Sequence, residues 1–218
     1  MSLPETEIRY TIEEYLDYER QSEERHEYLD GQIYAMAGES GEHGDVCTNL
    51  VLSLGSQLKG TDCRVRSKDT KVLSGPIPRS RFSRKGMFSY PDIVVICGEP
   101  QYLDEHRDVV LNPKLIIEVL SPSTELFDRS QKFWRYRTHT ETLTDYVVVS
   151  QRMPLIEHYH RQSSGEWVLS SVSDIEGSLP PPSIGCTLKL TDVYDRVSFP
   201  AEPEEAEEPK IKLAERPS

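Results

Sequence analysis

The sequence predicts an α/β fold in which a β-sheet is flanked by helices, and three observations support this. Apolar residues recur at helical spacing in two N-terminal segments. The segments "YPDIVVIC" and "KLIIEVL" have the near-continuous apolar character of strands at the centre of a sheet. After a third helical segment come three more strands, "DYVVVS", "LIEHYHR" and "EWVLSSV". Helices and strands therefore alternate along the chain.

Two helices are predicted in the N-terminal third. In "TIEEYLDYER", Thr11 is followed three residues later by Glu14, the signature of a capping box. A first helix should therefore run over residues 12–22. A second apolar stripe at helical spacing predicts a helix over residues 42–59, and Gly60 ends it.

A hairpin and several short strands are predicted around these helices. The pair Asp30-Gly31 between alternating apolar residues indicates a tight turn. Residues 26–29 and 32–37 should therefore pair as antiparallel strands. "CRVRS" and "KVL" are further strand candidates, and residues 75–89, rich in Gly, Pro and Ser, predict a loop.

The C-terminal half repeats the alternation. A loop over residues 98–112 separates the two apolar strands, and Ser123 offers an N-cap for a helix that runs to about Arg137. Ser164-Gly165 predicts the turn between the last two strands. The segment "LTDVYDRVSF" predicts a short terminal helix or turn.

The chain should form one domain with a tail. Residues 1–199 are long enough for one substantial core. Residues 200–218, "PAEPEEAEEPKIKLAERPS", are rich in Glu and Pro and poor in large apolar residues, so we predict a disordered acidic tail.

Composition limits the class of protein. Hydrophobic residues make up 36% of the 218 and charged residues 28%, which is typical of a soluble globular domain. No apolar run reaches the roughly 20 residues that span a bilayer. The N-terminus also lacks a basic-then-apolar signal pattern, so we expect a cytoplasmic location. The net charge of −12 argues against wholesale non-specific nucleic-acid binding.

Cysteine and histidine spacing predicts no metal site of the zinc-finger type. The four cysteines contain no CxxC pair, so we interpret them as reduced thiols. His158 and His160 share a strand face at chelating spacing. Because no third ligand is near in sequence, we predict exposed or edge positions for both. The four cysteines that we interpret as reduced thiols are Cys47, Cys63, Cys97 and Cys186.

Two acids on the apolar strands carry the candidate chemistry. Asp92 begins one strand, and Glu118 lies near the end of the other. An antiparallel hairpin centred on residue 105 would place them directly opposite each other, with Cβ atoms about 4.5–5.5 Å apart. Two carboxylates this close repel unless a proton or a cation lies between them. Mg²⁺ accepts such oxygen ligands.

The combination of "YPDIVVI" and "LIIEVLSPST" resembles the PD-(D/E)xK nuclease superfamily, and within it the Uma-type family of putative restriction endonucleases. The resemblance covers roughly residues 8–198. It implies a restriction-endonuclease-like αβββαβ core, with a mixed sheet flanked by helices. It also implies a metal-dependent nuclease that uses Mg²⁺ or Mn²⁺ and acts on DNA.

One motif position departs from the superfamily. Leu120 stands where the superfamily has a lysine, two residues after the acid Glu118. In the branch resembled here a lysine on the following helix often replaces it, and the matching position is Lys132. Tyr136 lies four residues further on the same helical face. The alternative for Lys132 is a solvent-exposed helix cation.

The resemblance implies further members of the site. Glu27 matches a family acid that can join the metal, and the backbone carbonyl of Val119 is a fourth candidate ligand beside Asp92 and Glu118. His43 matches a position at the start of the second helix. The alternatives are a surface strand residue for Glu27 and a local hydrogen-bonding role for His43.

Basic residues are concentrated between residues 64 and 85, where eight lysines and arginines meet a single acid. This segment is either an electrostatic footprint for a polyanion or a solvated loop. In the first case DNA contacts come from this segment and from Tyr136 and His43. The contact candidates within the segment are Arg79, Arg81, Arg84 and Lys85.

The leading hypothesis is therefore a Mg²⁺- or Mn²⁺-dependent endonuclease that hydrolyses DNA, with Asp92, Glu118, Lys132 and Glu27 as catalytic residues. The first alternative is a weakly active or inactive nuclease fold that serves as a binding module. The second alternative is a different hydrolase with the same metal site. DNA is the expected partner and the sequence is compatible with a homodimer. It indicates neither membrane attachment nor an organic cofactor.

Overall fold

The structure, a computed structural model, describes residues 8–36, 38–80 and 82–200. The predicted tail, apart from residue 200, lies outside the described residues. Among the described residues, no helix has both the length and the apolar character needed to cross a bilayer. The helical elements are α1 (Ile12–Gln21), α2 (Gly41–Gln57), α3 (Glu125–Phe127), a π-helical segment (Asp128–Lys132), α4 (Phe133–His139) and α5 (Leu190–Val193).

The strands alternate with these helices much as the sequence predicts. They are β1 (His26–Leu29), β2 (Gln32–Ala35), β3 (Cys63–Ser67), β4 (Lys71–Ser74), β5 (Met87–Ser89), β6 (Ile93–Cys97), β7 (Val109–Val110), β8 (Leu115–Leu120), β9 (Asp145–Ser150), β10 (Ile156–Arg161), β11 (Trp167–Val172), β12 (Ser178–Leu179) and β13 (Leu188–Lys189).

A six-stranded sheet forms the centre of the molecule, in the order β11-β10-β9-β8-β6-β3. The β8–β9 pair is parallel and the other neighbours are antiparallel, so the sheet is mixed. A five-stranded sheet, in the order β2-β1-β5-β4-β7, lies beside it. The predicted fold class, a mixed α/β fold with sheet flanked by helices, is confirmed.

The two central apolar strands pair in the predicted register. β6 and β8 are antiparallel, and Ile93 lies opposite Ile117. Continued by one residue, this register sets Asp92 opposite Glu118. The parallel pairing of β8 with β9 buries β8 between two neighbours, which explains its continuous apolar sequence.

The faces of the central sheet belong to two separate cores. On one face, Ile117, Val119 and their neighbours pack against α2 through residues such as Leu50. On the other face, Ile116 and Leu120 pack with Tyr136 from α4. Because successive side chains alternate, Glu118 shares the face of Ile116 and Leu120, the face that α4 covers.

Long-range pairing accounts for the main differences from the predicted elements. The predicted loop over residues 75–89 contains β5, a fully buried strand between β1 and β4. The helix predicted from Ser123 is interrupted by the π-helical segment, and its N-cap is Thr124, without a side-chain cap bond. Ser121 instead accepts a hydrogen bond from the Thr124 amide.

The prediction of four reduced thiols is wrong. Cys63 on β3 lies directly opposite Cys97 on β6, with 3.9 Å between their Cα atoms, and the two form a disulfide. They are 34 residues apart, so spacing alone could not reveal the pairing. Cys47 and Cys186 are free and buried, as core residues of this type commonly are.

The prediction for the β10 histidines is also wrong. His158 is only 4% exposed, and His160 is half-buried. Both contact Asp145, which begins the neighbouring strand β9 and is fully buried. The third residue was missed because it lies 13 residues before His158 in the chain and meets it only through strand pairing.

Candidate active site

Lys132 reaches the acid on the central strand. The π-helical segment ends at Lys132 and lies over the face of β8 that carries Glu118. The Lys132 Nζ atom is 3.0 Å from Glu118 Oε1, 3.4 Å from Asp128 Oδ1 and 3.5 Å from Glu27 Oε1. Lys132 is 5% exposed and Glu118 is 3% exposed. The interpretation of Lys132 as a solvent-exposed helix cation therefore does not match the structure.

The surrounding carboxylates keep Lys132 charged. Burial on its own would lower the pKa of the ammonium group, but Glu118, Glu27 and Asp128 raise the pKa well above its ordinary value. A π-helical turn is uncommon and is often found at functional sites. Here it orients two of its own residues, Asp128 and Lys132, toward the same point.

Glu118 is a buried carboxylate with three other acids close enough to affect its pKa. Its Oε1 atom is buried and lacks a partner with hydrogen-bond geometry among the described residues, although Lys132 stands at ion-pair distance. Burial raises the pKa of Glu118 well above its ordinary value; Lys132 lowers it, and Asp128, Asp92 and Glu27 raise it further. Ionised Glu118 is therefore disfavoured by its burial and by the neighbouring acids, and a nearby cation offsets this cost.

Asp92 and the carbonyl of Val119 face a common point. Asp92 Oδ2 accepts a hydrogen bond of 2.8 Å from the Val119 amide. The Nε2 atom of His43 lies 3.3 Å from the same Asp92 oxygen and 3.1 Å from the Val119 carbonyl oxygen. Burial would raise the pKa of Asp92, but the hydrogen bond and charge of His43 and the Val119 amide lower it below its ordinary value.

His43 therefore contacts two candidate ligand residues that are distant in the chain, and its interactions are not only local. It lies in the first turn of α2, where Ser40 caps the helix by accepting a hydrogen bond from the His43 amide. Burial would lower the pKa of His43, but Asp92 and the Val119 carbonyl raise it above its ordinary value. Its Nδ1 atom is 2.9 Å from Glu39 Oε2.

Glu27 approaches the site from the hairpin strand β1. Its Oε1 atom accepts a hydrogen bond of 3.2 Å from the Tyr90 amide and faces Lys132. The turn that positions it has Asp30 and Gly31 at positive φ, 46° and 102°. Such a turn favours glycine at its second position, which matches the sequence.

Three neighbours of the site were not predicted from sequence. Asp128 carries a usable signal, because it stands four residues before Lys132. Lys68 forms an ion pair with Glu39 and its backbone amide donates to the Asp92 carbonyl. No local sequence pattern marks Lys68 or Glu39 as a site residue. Both reach the site only through the tertiary fold.

Five of the six predicted DNA contacts divide into three groups, and the sixth, His43, lies beside Asp92. Arg79, Arg84 and Lys85 are exposed, and Arg81 lies outside the described residues. Tyr136 is fully buried and its hydroxyl is 2.6 Å from the Ser89 hydroxyl. In this position Tyr136 offers no surface to a DNA strand, so we do not retain it as a contact.

The basic segment over residues 64–85 does not form one continuous cationic surface. Lys71 is 3% exposed and its Nζ atom is 3.5 Å from Asp108 Oδ2. Arg66 donates a hydrogen bond of 2.8 Å to the Tyr102 hydroxyl. Among the basic residues of this segment that the structure describes, Arg64, Arg79, Arg84 and Lys85 keep the exposure that contact with a polyanion requires.

The residues present fit a hard divalent cation. Four carboxylates (Glu27, Asp92, Glu118 and Asp128) surround one lysine, so the cluster keeps an excess of negative charge even when His43 is protonated. The buried Glu118 oxygen without a hydrogen-bond partner is the kind of atom that a cation would satisfy. Carboxylate and carbonyl oxygens are the ligands that suit Mg²⁺ and Mn²⁺.

Two proteins of Synechocystis sp. are similar to this chain over most of its length. The uncharacterized protein slr1290 is 34% identical over 187 residues, which cover 86% of this chain and 92% of that protein. The uncharacterized protein sll1609 is 32% identical over 162 residues, which cover 74% of this chain and 86% of that protein.

A solved structure and a family model also match this chain over most of its length. The crystal structure of a putative nuclease belonging to DUF820 from Anabaena variabilis matches with a TM-score of 0.67 at 18% identity, covering 85% of this chain and 97% of that one. The model of the Uma2 family, described as a putative restriction endonuclease, matches residues 12–191. The chain therefore belongs to the Uma2 family of putative restriction endonucleases and shares its fold with that putative nuclease.

Proposed function

We propose that this protein is an endonuclease that hydrolyses DNA phosphodiester bonds with Mg²⁺ or Mn²⁺. The observation that carries the proposal is the buried contact of Lys132 with Glu118 inside a group of four carboxylates. Burying so many acids together destabilises a fold unless a cation offsets their charge. Membership of the Uma2 family adds the expectation of nuclease chemistry.

The metal ligands in this proposal are Asp92, Glu118, the carbonyl of Val119 and Glu27. His43 supports the choice of Asp92 and Val119, because its Nε2 atom lies within 3.3 Å of one oxygen from each. When bound, a divalent ion supplies positive charge that polarises a phosphate oxygen and makes water a better nucleophile.

Lys132 has the role of the lysine that Leu120 replaces in the superfamily motif. Its ammonium group stays charged beside the acids, so it can stabilise negative charge that develops on the phosphate or orient the attacking water. Leu120 is 4% exposed and packs in the core beneath α4. It therefore excludes water from the base of the site.

Substrate binding in this proposal uses the exposed basic residues Arg79, Arg84 and Lys85, with Arg81 as a fourth member from sequence. Such residues neutralise phosphates without reading sequence. The proposal therefore names DNA as the substrate but no recognition sequence. A homodimer and a cytoplasmic location remain expectations from sequence.

A plasmid-nicking assay with Mn²⁺ tests the function. We expect the intact protein to convert supercoiled plasmid to open-circular and linear forms, and Glu118→Gln to reduce the rate by about 100-fold or more. Glu13→Gln, an exposed acid on α1, is the matched control and should cleave normally. Equal cleavage by the intact protein and Glu118→Gln would remove Glu118 from the mechanism.

Calorimetry with Mn²⁺ separates the nuclease from the alternative of a binding module. The nuclease hypothesis expects Mn²⁺ to bind the intact protein and to bind Glu118→Gln more weakly. A protein that binds DNA, binds no Mn²⁺ and does not cleave plasmid would instead be a nuclease fold retained for binding.

A further inference from the structure

The second candidate site lies on the central sheet, away from Glu118. Asp145 begins β9, and His158 and His160 are on the adjacent strand β10. His160 is directly opposite Asp145 in the antiparallel register, and His158 is opposite Val147. Residues two apart on a strand point to the same face, so the three side chains meet on one face of the sheet.

Two imidazoles converge on one carboxylate oxygen. The Nε2 atom of His158 is 2.6 Å from Asp145 Oδ1, and the Nδ1 atom of His160 is 2.7 Å from the same oxygen. The possible ligand atoms of the three residues all lie within 4.8 Å of one another. The Asp145 side chain is fully buried, the His158 side chain is 5% exposed and the His160 side chain is 28% exposed.

Ser183 orients the Asp145 carboxylate through the oxygen that does not face the histidines. The other oxygen, Asp145 Oδ2, accepts hydrogen bonds from the backbone amide and the hydroxyl of Ser183. Outer contacts of this kind orient a ligand and are typical of metal sites. Burial would raise the pKa of Asp145, but the bonds from His158, Ser183 and His160 lower it, which favours the ionised form that binds cations.

We propose that Asp145, His158 and His160 form a binding site for a transition-metal ion of the Zn²⁺ class. Two imidazoles and one carboxylate form a ligand set that Zn²⁺ commonly takes. Each histidine would bind the ion through the ring nitrogen that now contacts Asp145 and would carry its proton on the other ring nitrogen. The partly exposed side of His160 gives the ion a path from solvent and leaves room for a further ligand from water.

This site is distinct from the acidic cluster in position and in chemistry. Glu118 is paired with Val148, three residues beyond Asp145 on β9, which corresponds to about 10 Å along the strand. Asp145 and Val148 also point to opposite faces of the sheet. Imidazole ligands favour Zn²⁺, Co²⁺ or Ni²⁺, whereas the oxygen ligands around Glu118 favour Mg²⁺ and Mn²⁺.

The test uses Co²⁺ as a spectroscopic probe for Zn²⁺. Co²⁺ is titrated into full-length Glu118→Gln protein, in which the acidic cluster is weakened, and the visible absorption of bound Co²⁺ is followed. We expect saturation at one ion per chain and displacement by Zn²⁺. Adding His160→Ala should weaken binding by more than about 100-fold, and adding Ser183→Ala by about 10-fold, because supporting contacts matter less than ligands.

The controls cover folding and the other possible ligands. His106→Ala, an exposed histidine, should bind Co²⁺ like its parent. Because His160 is partly exposed, we expect His160→Ala to fold, and its circular dichroism checks this. Glu39, His43 and Cys47 also group closely enough to hold an ion, and binding there would add thiolate-to-Co²⁺ charge-transfer absorption. That absorption, unaltered affinity in His160→Ala, or the lack of any bound Co²⁺ would each overturn the proposal.

Discussion

Lys132 and Glu118 form a buried ion pair between the π-helical segment and the central strand β8, with 3.0 Å between Nζ and Oε1. Neither side chain is more than 6% exposed. The pair links the element that carries the lysine to the strand that carries the acid. It also explains how the site retains a lysine although Leu120 stands at the usual motif position.

Lys132→Met should separate catalysis from metal binding. The change keeps the length of the side chain and removes its charge, so nicking with Mn²⁺ should fall by about 100-fold or more. Mn²⁺ affinity, measured by calorimetry, should stay equal or increase, because a positive charge that repels the ion has gone. Lys59→Met, at an exposed lysine beyond α2, is the control. Loss of Mn²⁺ binding in Lys132→Met would contradict this role.

Tyr136→Phe should affect stability and not DNA affinity. The Tyr136 hydroxyl is buried and hydrogen bonded to Ser89, and the loss of such a bond costs about 1 kcal/mol. Urea unfolding should show this decrease in the free energy of unfolding. The dissociation constant for a DNA duplex, measured by fluorescence anisotropy at fixed salt, should not change. A clear loss of DNA affinity in the folded variant would restore Tyr136 as a contact.

The central part of the site could be predicted from sequence because local patterns determine it. Two apolar strands around one loop define a hairpin, and the register of Ile93 with Ile117 follows from that. The placement of Lys132 beside Glu118 was predicted from the family resemblance and not from hydrophobic periodicity. The π-helical segment that delivers it has no recognised sequence signal, so an uninterrupted helix was predicted.

Contacts between distant residues could not be predicted in the same way. β5 is a strand because β1 and β4 bury it, although its surroundings in sequence are typical of a loop. Cys63 and Cys97 meet through the pairing of β3 with β6. Asp145 joins His158 only through the register of β9 with β10. Each contact depends on a strand order that periodicity does not encode.

Asp108→Asn should destabilise the protein at neutral pH and have less effect in acid. Arg20 donates two hydrogen bonds to Asp108, of 3.0 Å and 2.9 Å. Burial would raise the pKa of Asp108, but Arg20 and Lys71 lower it below 3.8. Bonds between charged groups contribute about 1.5–3 kcal/mol, and the variant should lose a similar amount at pH 7.

The sign of the pH dependence follows from the lowered pKa. The stabilisation by ionised Asp108 is complete above the ordinary value of 3.8 and is lost as pH falls through the lower pKa of the folded state. Urea unfolding of the intact protein and Asp108→Asn from pH 7 downward should show a constant difference that shrinks below pH 3.8. A difference that persists unchanged in strong acid would contradict this.

The disulfide predicts two reactive thiols in unfolded, unreduced protein. Iodoacetamide in denaturant should modify Cys47 and Cys186 only, as counted by mass spectrometry, and prior reduction should add Cys63 and Cys97. Closing a segment of 34 residues stabilises a fold by about 3–4 kcal/mol in the chain-entropy model. Reduction should lower the free energy of unfolding by that order. Four modified cysteines without reductant would show that the bond does not form.

Arg84→Ala/Lys85→Ala should weaken DNA binding uniformly across sequences. Both side chains are exposed, and each phosphate contact contributes nearly one unit to the slope of log affinity against log salt. The double variant should therefore reduce this slope by about 2 and weaken binding most at low salt. Lys59→Ala, an exposed lysine outside the basic segment, should change neither quantity. An unaltered salt slope in the double variant would mean that DNA binds elsewhere, and a loss confined to one DNA sequence would indicate base contacts instead of phosphate contacts.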